Sequence, residues 1–160
     1  MRSDGTTSLF ERWAVIPLRV VVGYGFFAHG CAKVMNGPDH FAASLHALGV
    51  PASQMMAWAT IGFELAGGLA ILVGAWIPLV SLPLAAILVV AAITVHLPYG
   101  FSSIKLRAVT EAGPQFGPPG YETNLLYLAA LAALAFGGSG PLAVDEISGR
   151  NNRARGGKDV

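Results

Sequence analysis

Four long apolar runs, separated by short polar ones, organise the chain. The first, Trp13 to Ala32, carries a stripe rather than a uniform surface. Arg19, Gly23, Phe26, Gly30 and Lys33 recur at helical spacing and share one face. Pro17 falls in the first turns, where a missing N–H is tolerated. The second run, Ala52 to Val73, starts after Pro51 and holds Glu64 about twelve residues in, ~18 Å along a helix axis. The third, Leu79 to Leu97, has Pro83 early, which bends the helix or delays its start, and His96 at its far end. The fourth, Tyr121 to Phe136, is shorter and opens on Glu122.

The connections differ in kind. Asn36-Gly37-Pro38-Asp39 is turn chemistry, with Asp39 placed to cap a short helix. Phe41, Leu45 and Leu48 then mark an amphipathic helix, ended by Gly49, that is expected to lie on a membrane surface. Gly74 to Pro78 is a tight turn. Pro98 to Gly120 is the longest polar connection. Its run from Gly113 to Gly120 is dense in glycine and proline, which argues against any regular element there. After Gly137 to Pro141, Leu142 to Ile147 is a brief amphipathic return, and a polar tail follows.

Composition turns these runs into membrane spans. The chain has 160 residues, 12% of them charged, against about 25% in a soluble domain. Mean hydropathy is +0.58. The fold expected is all-α, a transmembrane four-helix bundle with a short interfacial helix between spans one and two. The divisions are 1–12 (a cytoplasmic N-terminal segment), 13–145 (the membrane domain) and 146–160 (a cytoplasmic tail). The first run is too long for a signal peptide and is read as a retained span. An even span number puts both termini on one side. That side holds Arg2, Arg12, Arg150, Arg153, Arg155 and Lys158; the other holds Lys33, Lys105 and Arg107. The positive-inside rule makes the termini cytoplasmic. A net charge of +1 gives no basis for a nucleic-acid partner. The single cysteine, Cys31, excludes an internal dithiol and reads as a packed small residue.

Glu64 is the residue to explain. Between Gln54 and Lys105 no other residue is formally charged or amide-bearing. A bare carboxylate in hydrocarbon costs at least ~2.5 kcal/mol, so it requires a partner, a proton or a water-filled cavity. His29 and Lys33 end span one on the outer side, His96 ends span three there, and Glu122 begins span four. For Lys33, at the far end of the span, snorkelling is the favoured reading, whereas Arg19 reads equally as pointing inward or as snorkelling to the near interface. Arg19 lies below Glu64 on another helix, so Glu64 faces either Arg19 or His29. One reading is a structural polar cluster that holds the bundle together. Another is a pocket for a quinone or similar small molecule, with Glu64 as the catalytic, proton-exchanging group and His29, Lys33, His96, Glu122 and Arg19 as binding residues. Two histidines without thiolate or methionine ligands form a poor metal set, so no metal ligand is assigned and haem is not expected. His40 and His46 do not share a helix face and make no metal pair.

An ordered set of short motifs runs through all four spans: Leu18-Arg19, His29-Gly30 and Lys33; Gly62-Phe63-Glu64-Leu65-Ala66-Gly67-Gly68; Val95-His96 with Gly100-Phe101; Gly120-Tyr121-Glu122 with Leu125-Leu126-Tyr127-Leu128; and Gly140-Pro141 with Asp145. Together, from Leu18 to Asp145, they resemble the DoxX family of small bacterial and archaeal four-span membrane proteins. The resemblance implies a multi-pass protein of the plasma membrane. It also implies a link to quinone-coupled oxidoreductases, because the family takes its name from subunits of a thiosulfate oxidoreductase and a terminal oxidase. It carries over no established catalytic residue. The function expected is therefore a subunit of a quinone-linked redox system that contacts the lipid bilayer and a membrane or periplasmic redox protein. The rival is a non-catalytic membrane anchor. A small-solute or metal transporter is disfavoured because the two halves show no inverted repeat.

Overall fold

The computed structural model describes residues 13–147. The N-terminal segment and almost all of the tail lie outside the described residues, and with them the arginines and lysine on the terminal side of the orientation argument. Five α-helices account for most of what is described. They are α1 (Val15–Met35), α2 (Pro38–Ala47), α3 (Ser53–Val73), α4 (Ile77–Ala91) and α5 (Glu122–Gly137). The chain belongs to the all-α class. By length and composition, three helices are apolar enough to cross a bilayer: α1, α3, and α4 with its continuation to Tyr99. The fourth, α5, is apolar but has 16 residues.

Side-chain burial separates two surfaces. Val22, Phe26, Ile71, Ile77, Leu84, Leu131 and Leu134 form the core between the helices. Val20, Val21, Phe63, Leu69, Leu82, Val90, Leu126 and Phe136 point outward and are exposed. A helix apolar on both its inner and outer faces is stable only where the outside is also apolar. That is the arrangement of a bundle in lipid.

The helix pair α1–α3 is the closest crossing. It runs antiparallel, with Gly23 against Gly68 and Leu72, and Gly30 against Leu65. A Cβ added at Gly68 would stand 2.6 Å from the Phe27 backbone N and 2.8 Å from the Gly23 carbonyl oxygen. Only glycine admits the neighbouring backbone at that distance. The same approach brings the far end of α1 alongside the middle of α3.

Four local expectations change. First, α1 continues to Met35, a turn beyond Ala32, so Lys33 is a helix residue. Second, Asp39 does not cap α2; its carboxylate accepts a hydrogen bond from Gln54 at 2.8 Å, while Gly37 occupies the capping position. The helix also turns Phe41, Leu45 and Leu48 onto a groove shared with α3 and α4. Third, α4 starts at Ile77, ahead of Pro83. It passes through one π-helical turn, Ala92–His96, and one 3-10 turn, Leu97–Tyr99. Fourth, the polar connection contains an antiparallel hairpin, β1 (Leu106–Thr110) and β2 (Gly113–Phe116). Pro114 is tolerated because each strand of a two-stranded sheet is an edge strand, where a missing donor need not break a ladder.

Candidate functional site

Glu64 faces neither Arg19 nor His29. Its carboxylate takes the Lys33 ammonium on both oxygens, at 2.7 and 2.6 Å. The Glu64 side chain is 6% exposed and Lys33 is 22% exposed. The Gly68 and Gly30 crossings make this contact, because the shortened α1–α3 distance lets the two side chains meet across the helices. Lys33 Nζ also lies 5.1 Å from the centroid of the Phe41 ring on α2, within cation–π range. Burial that is unfavourable for either charge alone is offset by the pair.

Two cavities meet at this pair. One, about 280 Å³, lies among α1, α4, α5 and the loop before α5, and is lined by His29, His96, Asn124 and Tyr127 besides the pair. The other, about 370 Å³, is an apolar groove between α2, α3 and α4, walled by Phe41, Leu45, Met56, Phe63 and Val90. Lys33, Glu64, Ile87 and Ala91 line both. The larger volume falls within the usual range for small-molecule sites and the smaller just below it. A polar chamber thus opens beside an apolar one, with an ion pair at the junction.

His96 is brought to the polar cavity by the π-turn at the end of α4. Its Nδ1 lies 3.1 Å from the Pro119 carbonyl oxygen. A carbonyl only accepts, so Nδ1 carries the proton and donates. His29 lines the same cavity from α1 but stays largely exposed. Phe26 packs edge-on against Tyr127, with centroids 5.5 Å apart, and fixes that cavity wall.

Glu122 serves the loop. It accepts the Ser103 N–H at 2.9 Å, and its own backbone N–H donates to the Phe101 carbonyl at 2.9 Å. The second bond satisfies a first-turn donor of α5, and the acidic residue sits where the helix dipole favours it. The carboxylate thereby holds in place the loop whose Pro119 bonds His96. It does not line either cavity.

Arg19 requires the main correction. It lies about 21 Å along α1 from Lys33, at the opposite end of the bundle. Its guanidinium donates to the carbonyls of Ser139 at 2.7 Å, Pro141 at 3.2 Å and Leu72 at 2.9 Å. These carbonyls belong to the last turn of α3 and to the non-helical segment after α5, where no intrahelical donor is available. A cation at that point also complements the negative end of the α3 dipole. Arg19 therefore ties helix ends together and takes no part in the cavity. Nearby, Asp145 Oδ2 accepts the Trp76 N–H at 2.7 Å, which fastens the segment after α5 to the α3–α4 turn.

Asn124 was missed in the sequence, although it is the one amide of α5 and the logic applied to Glu64 would have found it. It is 7% exposed, and its Nδ2 donates to the Leu88 carbonyl at 3.3 Å. Among the described residues no three His, Cys, Asp or Glu side chains cluster as metal ligands would.

No curated protein and no solved structure matches the chain. A family model described as DoxX matches residues 14–97. That stretch is more than half of the chain and runs from α1 through His96, including both members of the ion pair. Together with the lipid-facing apolar helices, the match identifies the chain as an integral membrane protein of the DoxX family.

Proposed function

We propose that this protein is a four-span subunit of a quinone-linked redox system in a bacterial or archaeal plasma membrane, with both termini cytoplasmic. The observation that carries the reading is the meeting of the two cavities at Lys33–Glu64. A membrane quinone is an amphiphile: a polar ring on an apolar chain. The groove of Phe41, Leu45 and Met56 suits the chain, and the chamber of His29, His96, Asn124 and Tyr127 suits the ring. A bound quinone or quinol supplies two-electron, two-proton redox chemistry, with electrons exchanged with a membrane or periplasmic redox protein. Glu64 holds or releases a proton at its carboxylate, and Lys33 compensates the charge left there. His96 and Asn124 orient the ring by hydrogen bonds. The α2 helix covers the pair and limits water.

A second reading has its own support. Lys33–Glu64, Glu122–Ser103 and both terminal nitrogens of Arg19 find their partners within the chain. That suits a membrane anchor whose polar groups only fix helix register. Titration of the protein in lipid nanodiscs with a short-chain benzoquinone separates the two. Saturable binding above empty nanodiscs, with Glu64→Gln folded but unable to support redox turnover in cells, is expected. No binding above the lipid control overturns the quinone reading in favour of the anchor. Full turnover with Glu64→Gln removes Glu64 from proton exchange.

A further inference from the structure

We infer that the β1–β2 hairpin is a lipid-surface anchor, which lays one apolar face on an anionic headgroup layer beside the helix ends. The anchor is independent of what the cavities bind. Strand register makes the face. Leu106 pairs with Phe116; after a bulge at Arg107, Ala108 pairs with Gln115, Val109 with Pro114 and Thr110 with Gly113. Paired residues share a face, and successive residues of a regular strand alternate. On β2, Pro114 and Phe116 are two apart and lie together. Their partners, Val109 and Leu106, are three apart and would take opposite faces of a regular strand. The extra residue at the bulge brings them to the same side. One face of the hairpin is therefore Leu106, Val109, Pro114 and Phe116. The other carries Ala108, Thr110 and Gln115.

Nothing in the described chain covers the apolar face. Leu106, Val109 and Phe116 are 58%, 75% and 60% exposed. Among the described elements, each strand packs closely only on the other. A two-stranded hairpin is marginal in water and needs a surface to pack on. Two observations make that surface lipid. First, the apolar face continues the lipid-facing surface of the helices: Leu97, Tyr99, Phe101 and Ile104 are all exposed on the way from the end of α4 into β1. Second, Lys105 and Arg107 flank Leu106, and the acidic Glu111 is set apart at the hairpin tip. Cations beside an apolar face match phosphate groups above acyl chains. The headgroup layer is hydrated, so the face stays open to water-soluble reagents from its own side of the bilayer.

The test is fluorescence quenching in the full-length protein, in nanodiscs of phosphatidylcholine and phosphatidylglycerol that contain a lipid spin-labelled high on its acyl chain. An environment-sensitive thiol dye is placed, in a Cys31→Ala background, at Val109→Cys or Phe116→Cys on the apolar face and at Ala108→Cys or Gln115→Cys on the other. All four sites are exposed, so the labelled proteins are expected to keep the unlabelled melting temperature. Dyes on the apolar face are expected to be blue-shifted and quenched roughly threefold more than those on the polar face. Lys105→Gln with Arg107→Gln is expected to lower that quenching to the level found in nanodiscs of phosphatidylcholine alone. Equal quenching on the two faces overturns the anchor; where it is weak on both, the apolar face stands in water and is left for a partner protein. Quenching confined to the apolar face but unchanged by the double substitution and by removal of phosphatidylglycerol overturns the role of anionic headgroups.

Discussion

At the scale of single residues, Lys33 and Glu64 show what an isolated charge in an apolar run can and cannot reveal. The need for a partner was legible, because no other formal charge lies within reach along the second span. The identity of the partner was not. Ending span one at Ala32 left Lys33 at the headgroups, where snorkelling explains a lysine well. The added turn to Met35 places it inside the bundle. The pair has a measurable consequence. Lys33→Met leaves a largely buried carboxylate alone and is expected to cost about 3 kcal/mol, the low end for a broken buried pair, because Lys33 keeps some exposure. Adding Glu64→Leu removes the orphaned charge. The double variant is expected to melt well above Lys33→Met in the same detergent. Additive losses in the double variant would show that the two side chains are not coupled.

At the scale of elements, the helices were legible and their partnerships less so. Observed helix ends lie within about three residues of the apolar runs, α4 being taken with its continuation to Tyr99, because length and hydropathy fix a span. The α1–α3 contact was foreshadowed by glycines on the Arg19–Lys33 stripe and beside Glu64, since small residues mark close helix approach. The hairpin was hidden by Gly113, Pro114 and the Gly117–Gly120 run, whose composition is that of a loop. The π-turn has no composition signal at all. Two glycines of α3 test the crossing. Gly68→Ala drives a methyl into the Phe27 and Gly23 backbone and is expected to destabilise by about 1–3 kcal/mol, with weaker ligand binding as Lys33 is pushed from Glu64. Gly62→Ala meets nothing within 4 Å and is expected to be neutral or slightly stabilising. Equal melting temperatures for the two variants would contradict the observed crossing.

At the scale of the whole molecule, the decisive question is whether α5 crosses the bilayer. Its 16 residues span about 24 Å, against about 30 Å of hydrocarbon. A shortfall of that size exposes non-helical backbone to lipid unless its carbonyls are satisfied. Arg19 does this for Ser139 and Pro141, at the depth where α5 gives out. On the four-span reading, the arginine on α1 satisfies the backbone at the end that α5 is too short to reach. This predicts an even number of crossings, which thiol labelling of single-cysteine variants in a Cys31→Ala background can read. Val109→Cys, on the exposed hairpin, is expected to react with a membrane-impermeant reagent in intact cells. Trp76→Cys, in the α3–α4 turn, and Val144→Cys, after α5, are expected to react only after permeabilisation. If Val144→Cys reacts together with Val109→Cys, α5 does not cross and the Arg19 fork closes a re-entrant segment instead. If all three accessibilities are reversed, the crossings stand and the cytoplasmic placement of the termini is wrong.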